Sequence, residues 1–129
     1  MKTQEFFKKW KNDSPKSFEK FIKYLNIRYT DYFYYNKKQT EIEIKLELNN
    51  EVCKFEMLTG VIENFFDANK IKIAIMYNFR NKDVLYNWKG SISKQAFTAS
   101  YHTKTFITKQ ETQIQSYLKA AEILEKELG

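Results

Sequence analysis

The spacing of hydrophobic and polar positions changes along the chain, and each change marks an element. Phe6, Phe7 and Trp10 cluster at helical spacing before Asn12, Asp13, Ser14 and Pro15 interrupt them. Ser14 is placed to cap a second helix with Pro15 at its first position, where a missing amide hydrogen costs nothing. Phe18, Phe21, Ile22 and Leu25 then recur on one face, with Lys16, Lys20 and Lys23 off it.

From residue 28 the period drops to two. A strand over 28–35 is expected to pair, across a loop at 36–40, with the run in which Ile42, Ile44, Leu46 and Leu48 alternate with Glu41, Glu43, Lys45 and Glu47. The tip of this first hairpin carries Lys37 and Lys38. Residues 51–58 fit two patterns. As a strand they place Cys53, Phe55 and Met57 on one face; as a helix they begin a stripe of Phe55, Leu58, Ile62 and Phe65. Gly60 would sit inside that helix at a cost of ~1 kcal/mol relative to alanine, which favours a strand over 51–58 and a short helix over 61–68.

Ile71, Ile73, Ile75, Tyr77 and Phe79 alternate with Lys72, Ala74, Met76 and Asn78. After a turn at 80–83, Val84, Tyr86 and Trp88 alternate with Leu85, Asn87 and Lys89, giving a second hairpin with Arg80 and Lys82 at its tip. Residues 97–107, rich in threonine and aromatics, supply a further strand. Thr108 and Glu111 form a capping box ahead of a helix whose stripe is Ile114, Tyr117, Leu118, Ala121, Leu124 and Leu128. The order predicts one α+β domain over residues 1–129. Its mainly antiparallel sheet carries a βββα pseudo-repeat, packed by the long C-terminal helix and flanked by two short N-terminal helices.

Composition narrows the class. An apolar content of 43% supports a packed core, and three glycines with one proline leave no stretch that reads as a linker. No apolar run approaches the ~20 residues that cross a bilayer, and MKTQEFFKKW lacks the apolar segment and cleavage site of a signal peptide. The expectation is a cytoplasmic protein with no membrane partner. Cys53, as the single cysteine, makes no intrachain disulfide and is expected to be a buried apolar side chain.

The net charge is +6, from twenty lysines and only Arg28 and Arg80 among the cations. Lysine neutralises phosphate as a point charge, whereas base edges are read best by the arginine fork, so nucleic-acid binding by this chain would be sequence-tolerant. Lysine, asparagine, isoleucine, phenylalanine and tyrosine are also the residues of A and T rich codons, so the excess alone weighs little. Its placement weighs more: residues 1–40 and 69–109 are strongly basic, and 41–68 between them is acidic.

Three constellations carry chemistry. Glu43 and Lys45 share one strand face with Asp31 upstream, and two carboxylates with a lysine are the set with which magnesium nucleases hold metal and activate water. The order of elements loosely resembles restriction-endonuclease-like nucleases, although no proline precedes Asp31 and the E-x-K comes one strand early. His102 has no second histidine or cysteine near it, which argues against zinc and for a surface or hydrogen-bonded role. Gly60, Gly90 and Gly129 are isolated, so no phosphate-cradling loop is present, and no cofactor or metal is implied.

The third constellation is aromatic and basic. In YTDYFYYNKK, alternation puts Tyr32 and Tyr34 on one side and Phe33 and Tyr35 on the other, beside Lys37 and Lys38. Trp88 beside Lys89 repeats the pairing. Rings that stack on bases next to cations that follow phosphates are the equipment of single-strand binders. The reading preferred from sequence is therefore a non-enzymatic nucleic-acid-binding accessory protein for single strands, using Tyr32, Tyr34, Lys37, Lys38, Arg80, Lys82, Trp88 and Lys89. Its alternative is a protein-interaction module, an inhibitor or adaptor of the kind phages and mobile elements encode, with the same rings buried in a partner or a homodimer.

Overall fold

A computed structural model describes residues 2–29, 31–38, 41–44, 51–78, 87–94 and 100–129. Among the described residues the fold is α+β: four helices, a two-stranded and a three-stranded antiparallel sheet, with a long helix at the C-terminus. The elements are α1 (Thr3–Asp13), α2 (Pro15–Arg28), β1 (Phe33–Asn36), β2 (Glu41–Ile44), α3 (Glu51–Ala68), β3 (Ile71–Asn78), β4 (Asn87–Lys94), β5 (Ser100–Phe106) and α4 (Lys109–Leu128). The chain forms two compact units, one of residues 1–61 with 121–129 and the other of 62–120, the divisions falling inside α3 and α4. Among the described residues no helix is long and apolar enough to cross a membrane.

Unit 1 is built on the aromatic stripe of its first two helices. Phe7, Trp10 and Phe21 stack, with Trp10 and Phe21 centroids 4.7 Å apart, and Phe18 meets Trp10 edge-on. Trp10 is fully buried, and its indole Nε1 donates to Ser17 Oγ at 2.8 Å, so the ring's polar edge is satisfied inside the core. Phe33 and Ile42 from the β1–β2 pair, and Phe55, Leu58 and Leu124 from the longer helices, complete the buried set.

The join between α1 and α2 corrects one expectation. Ser14 stands at the N-cap and Pro15 follows it, yet the Ser14 side chain makes no cap hydrogen bond. The carboxylate of Glu125 on α4 does that work, accepting from Lys16 N at 2.8 Å and from Ser17 N at 3.0 Å. A carboxylate satisfies the exposed amides and also meets the positive end of the helix dipole, which a hydroxyl does less well.

Two further expectations are overturned. Arg28, Tyr29, Asp31 and Tyr32 are not strand: α2 runs to Arg28, Tyr29 N donates back to Leu25 O, and Tyr29 O accepts from both Tyr32 N and Phe33 N in a turn. Arg28 lies over the Tyr24 ring one turn back, so helical neighbours outweigh the strand propensity of this run. Residues 51–58 are helix, continuous with 61–68, because Phe55, Leu58, Ile62 and Phe65 are all buried along one stripe. Gly60 is exposed, and its cost is small beside that burial. The second half of the chain is βββα as expected, whereas the first half shows two strands and then a helix among its described residues. Leu46 and Leu48 lie outside the described residues, as does the side chain of Cys53.

Unit 2 holds the β3–β4–β5 sheet. β3 and β4 pair antiparallel from Ile71↔Lys94 to Asn78↔Asn87, so β4 reaches Lys94 where the alternation had suggested a strand over 84–89. Cross-strand pairs sort the side chains: Ile73↔Ile92, Ile75↔Gly90 and Tyr77↔Trp88 share one face, and Lys72↔Ser93, Ala74↔Ser91 and Met76↔Lys89 share the other. α4 covers the first face. Its Thr108 cap accepts from Glu111 N at 3.2 Å, and its Ser116 lies so close to Gly90 that a Cβ there would collide with the hydroxyl oxygen.

Candidate nucleic-acid interface

The β1–β2 register decides the fate of the tyrosine run. Along the backbone it pairs Phe33 with Ile44, Tyr34 with Glu43 and Tyr35 with Ile42. Phe33 and Ile42 are buried, and Tyr35 packs edge-on against Phe18 while its hydroxyl accepts from Lys11 Nζ at 3.1 Å. The Phe33 face is therefore the inner one. Tyr32 precedes the strand in the turn and is 53% exposed, and Lys37 and Lys38 are exposed past its far end, where Asn36 Oδ1 accepts from Lys38 N. Tyr32 thus flanks the hairpin at the end opposite the two lysines.

Of the carboxylate-lysine set, the place of Asp31 and the register of Glu43 are described. Asp31 is exposed in the turn before β1 instead of on a strand, Glu43 stands in β2 opposite Tyr34, and Lys45 lies outside the described residues. Among the described residues no group of three His, Cys, Asp or Glu side chains gathers to hold a metal ion.

In unit 2, Trp88 turns toward α4. It packs on Tyr77 with centroids 4.7 Å apart, and Lys109 of α4 lies 5.9 Å from its ring centre. Lys89, its neighbour in sequence, stands on the opposite face, so the two are separated by the pleat of one strand. Arg80 and Lys82 lie outside the described residues.

That opposite face is the surface the sequence reading missed. Lys72, Ala74 and Met76 of β3, Lys89, Ser91 and Ser93 of β4, and Ser100, His102 and Thr105 of β5 lie together on it, tied by the pairs Lys89↔Thr105, Ser91↔His102 and Ser93↔Ser100. Met76 is 42% exposed, and Lys72, His102 and Thr105 are exposed as well. Lys104 is exposed at the irregularity where β5 runs past Gly90. The three strands contain no aspartate or glutamate. The alternation of Lys72, Ala74 and Met76 was legible; the Ser-Ile-Ser of β4 was not assigned to a strand, so its hydroxyls went unplaced.

On the α4 side of the sheet, Glu63 of α3 and Tyr117 of α4 act on each other. Burial pushes the Glu63 carboxyl up, with Tyr117 and Lys109 pulling partly the other way. Burial first, and the Glu63 carboxylate second, pushes the Tyr117 hydroxyl up. Neither group reaches the outward face. No family model matches this sequence, and comparison with curated proteins and with solved structures found no match. Among the described residues, fold and surface define an α+β protein with a basic, hydroxyl-bearing sheet face.

Proposed function

We propose that the protein is a non-enzymatic nucleic-acid-binding accessory protein of the cytoplasm, and that the outward face of β3–β4–β5 is its binding surface. The observation that carries this reading is the face itself, where Lys72 and Lys89, with Lys104 beside them, stand among serine and threonine hydroxyls on strands with no acidic residue. Phosphate oxygens accept hydrogen bonds from such hydroxyls and are neutralised by such cations, and neither contact depends on base sequence. Trp88 and Tyr77 lie on the α4 side, so stacking adds little at this face. Any preference for single strands rests on Tyr32 in unit 1, since Lys37 and Lys38 stand at the other end of that hairpin.

Fluorescence anisotropy of labelled single-stranded and duplex oligonucleotides across a salt series tests the proposal. Three lysine–phosphate contacts give a log–log slope of about −2.7 on duplex, roughly a fortyfold loss of affinity between about 50 and 200 mM salt. Binding that ignores salt, or no binding at low salt, contradicts it.

The protein-interaction reading has an observation of its own: Ile27 is 82% exposed near the end of α2, and Tyr32 follows in the turn of the same unit. A stable dimer in solution that ignores oligonucleotide would favour that reading.

A further inference from the structure

β3 is an edge strand: among the described residues it pairs with β4 alone. Beside it runs a groove of about 270 Å³, lined by Glu63, Asn64 and Asp67 of α3 and by Ile71, Lys72 and Ile73 of β3. Ile71 and Ile73 belong to the α4-facing side of the strand and Lys72 to the outward side. A groove lined by both sets looks onto the strand's edge and not onto either face, and β4 already holds the other edge. An unpaired edge presents backbone N–H and C=O groups at ladder spacing, ready for another strand.

The outer edges of β2 and β5 are guarded. Against β2, the Gln4 carboxamide imitates a strand, its Nε2 donating to Ile42 O at 2.8 Å and its Oε1 accepting from Ile42 N at 3.3 Å. β5 carries the irregularity opposite Gly90 and the exposed Lys104, both of which discourage pairing. β3 pairs in unbroken register with β4 over eight residues.

The groove's helical wall is acidic. Glu63 and Asp67 are one helical turn apart, about 6 Å along the axis, which is close to the roughly 7 Å between alternate residues of a strand. We propose that this edge takes an extended, basic peptide segment of a partner protein as a fourth strand. Its main chain pairs with β3, and lysine or arginine side chains at alternate positions lie against Asp67 and Glu63. The proposal shares Lys72 with the nucleic-acid reading but rests on main-chain pairing along the strand's edge, which phosphate contacts on the outward face do not use.

Three capped eight-residue peptides test it on the full chain: alternating Lys-Thr, alternating Glu-Thr, and the Lys-Thr peptide N-methylated at every second amide. The Lys-Thr peptide is expected to bind and to slow hydrogen exchange at alternate amides of residues 71–78, while the Glu-Thr peptide does neither. N-methylation, which keeps the charge and removes the ladder, is expected to weaken binding at least about tenfold. Asp67→Asn is expected to weaken it roughly fivefold. Equal binding of the N-methylated peptide, or unchanged exchange along β3, overturns the proposal. So does a dimer that already protects β3 without peptide, because a second copy then fills the edge.

Discussion

A methyl group added at Gly60 would meet nothing within 4 Å, whereas one added at Gly90 would collide with the Ser116 hydroxyl. Gly60 lies in an exposed turn of α3 with no positive φ to preserve, so Gly60→Ala should stabilise the protein by about 0.5–1 kcal/mol in chemical denaturation. Gly90→Ala should destabilise it by roughly 1–3 kcal/mol, since the Ser116 hydroxyl must turn away and the Ser116 Cβ and Thr103 methyl, 3.1 and 3.2 Å from the added carbon, must give. Ser116→Ala removes the colliding atom and should recover part of that loss in the double variant; additive effects would contradict this packing. At Glu63 the test is pH. Its folded carboxyl binds a proton more tightly than the unfolded one, so its contribution to stability is full below the unfolded value of about 4.3 and is lost as pH rises through the raised folded value. The stability of Glu63→Gln relative to the parent should therefore climb with pH across that window. A constant or falling difference would count against the burial of Glu63.

Among the elements, α2 shows how far its stop and start signals lie from each other. Its stripe and Pro15 were readable locally, but the cap comes from Glu125, 109 residues from Lys16. Glu125→Ala should cost about 1–2 kcal/mol, and Ser14→Ala, whose side chain makes no cap bond, should cost less. A reversed order would restore Ser14 as the cap. The same contrast runs through the fold. α4 and the alternation of β3 were legible because cap, stripe and period agreed. α3 was hidden because one glycine, worth ~1 kcal/mol, is visible in sequence, whereas the burial of Phe55, Leu58, Ile62 and Phe65, at about 1.5–3 kcal/mol each, depends on tertiary partners. In the tyrosine run, Tyr29, Asp31 and Tyr32 have strand neighbours in the sequence pattern but are taken by the end of α2 and its turn. Of the proposed surface, Lys72 and Lys89 had a readable parity. Ser91, Ser93 and His102 join them only through the β3–β4–β5 register, which no local pattern specifies.

For the molecule as a whole, the excess of lysine over arginine and the acid-free strands of the sheet point the same way, toward phosphate and away from base edges. The direct test is the salt dependence of oligonucleotide binding with and without the lysines of that face. Lys72→Gln with Lys89→Gln should flatten the log–log slope by about two units on duplex, while Lys23→Gln with Lys126→Gln, which removes the same charge from unit 1, should leave the slope within about half a unit of the parent. Equal slopes for the two double variants would mean that net charge and not the β3–β4–β5 face carries the binding.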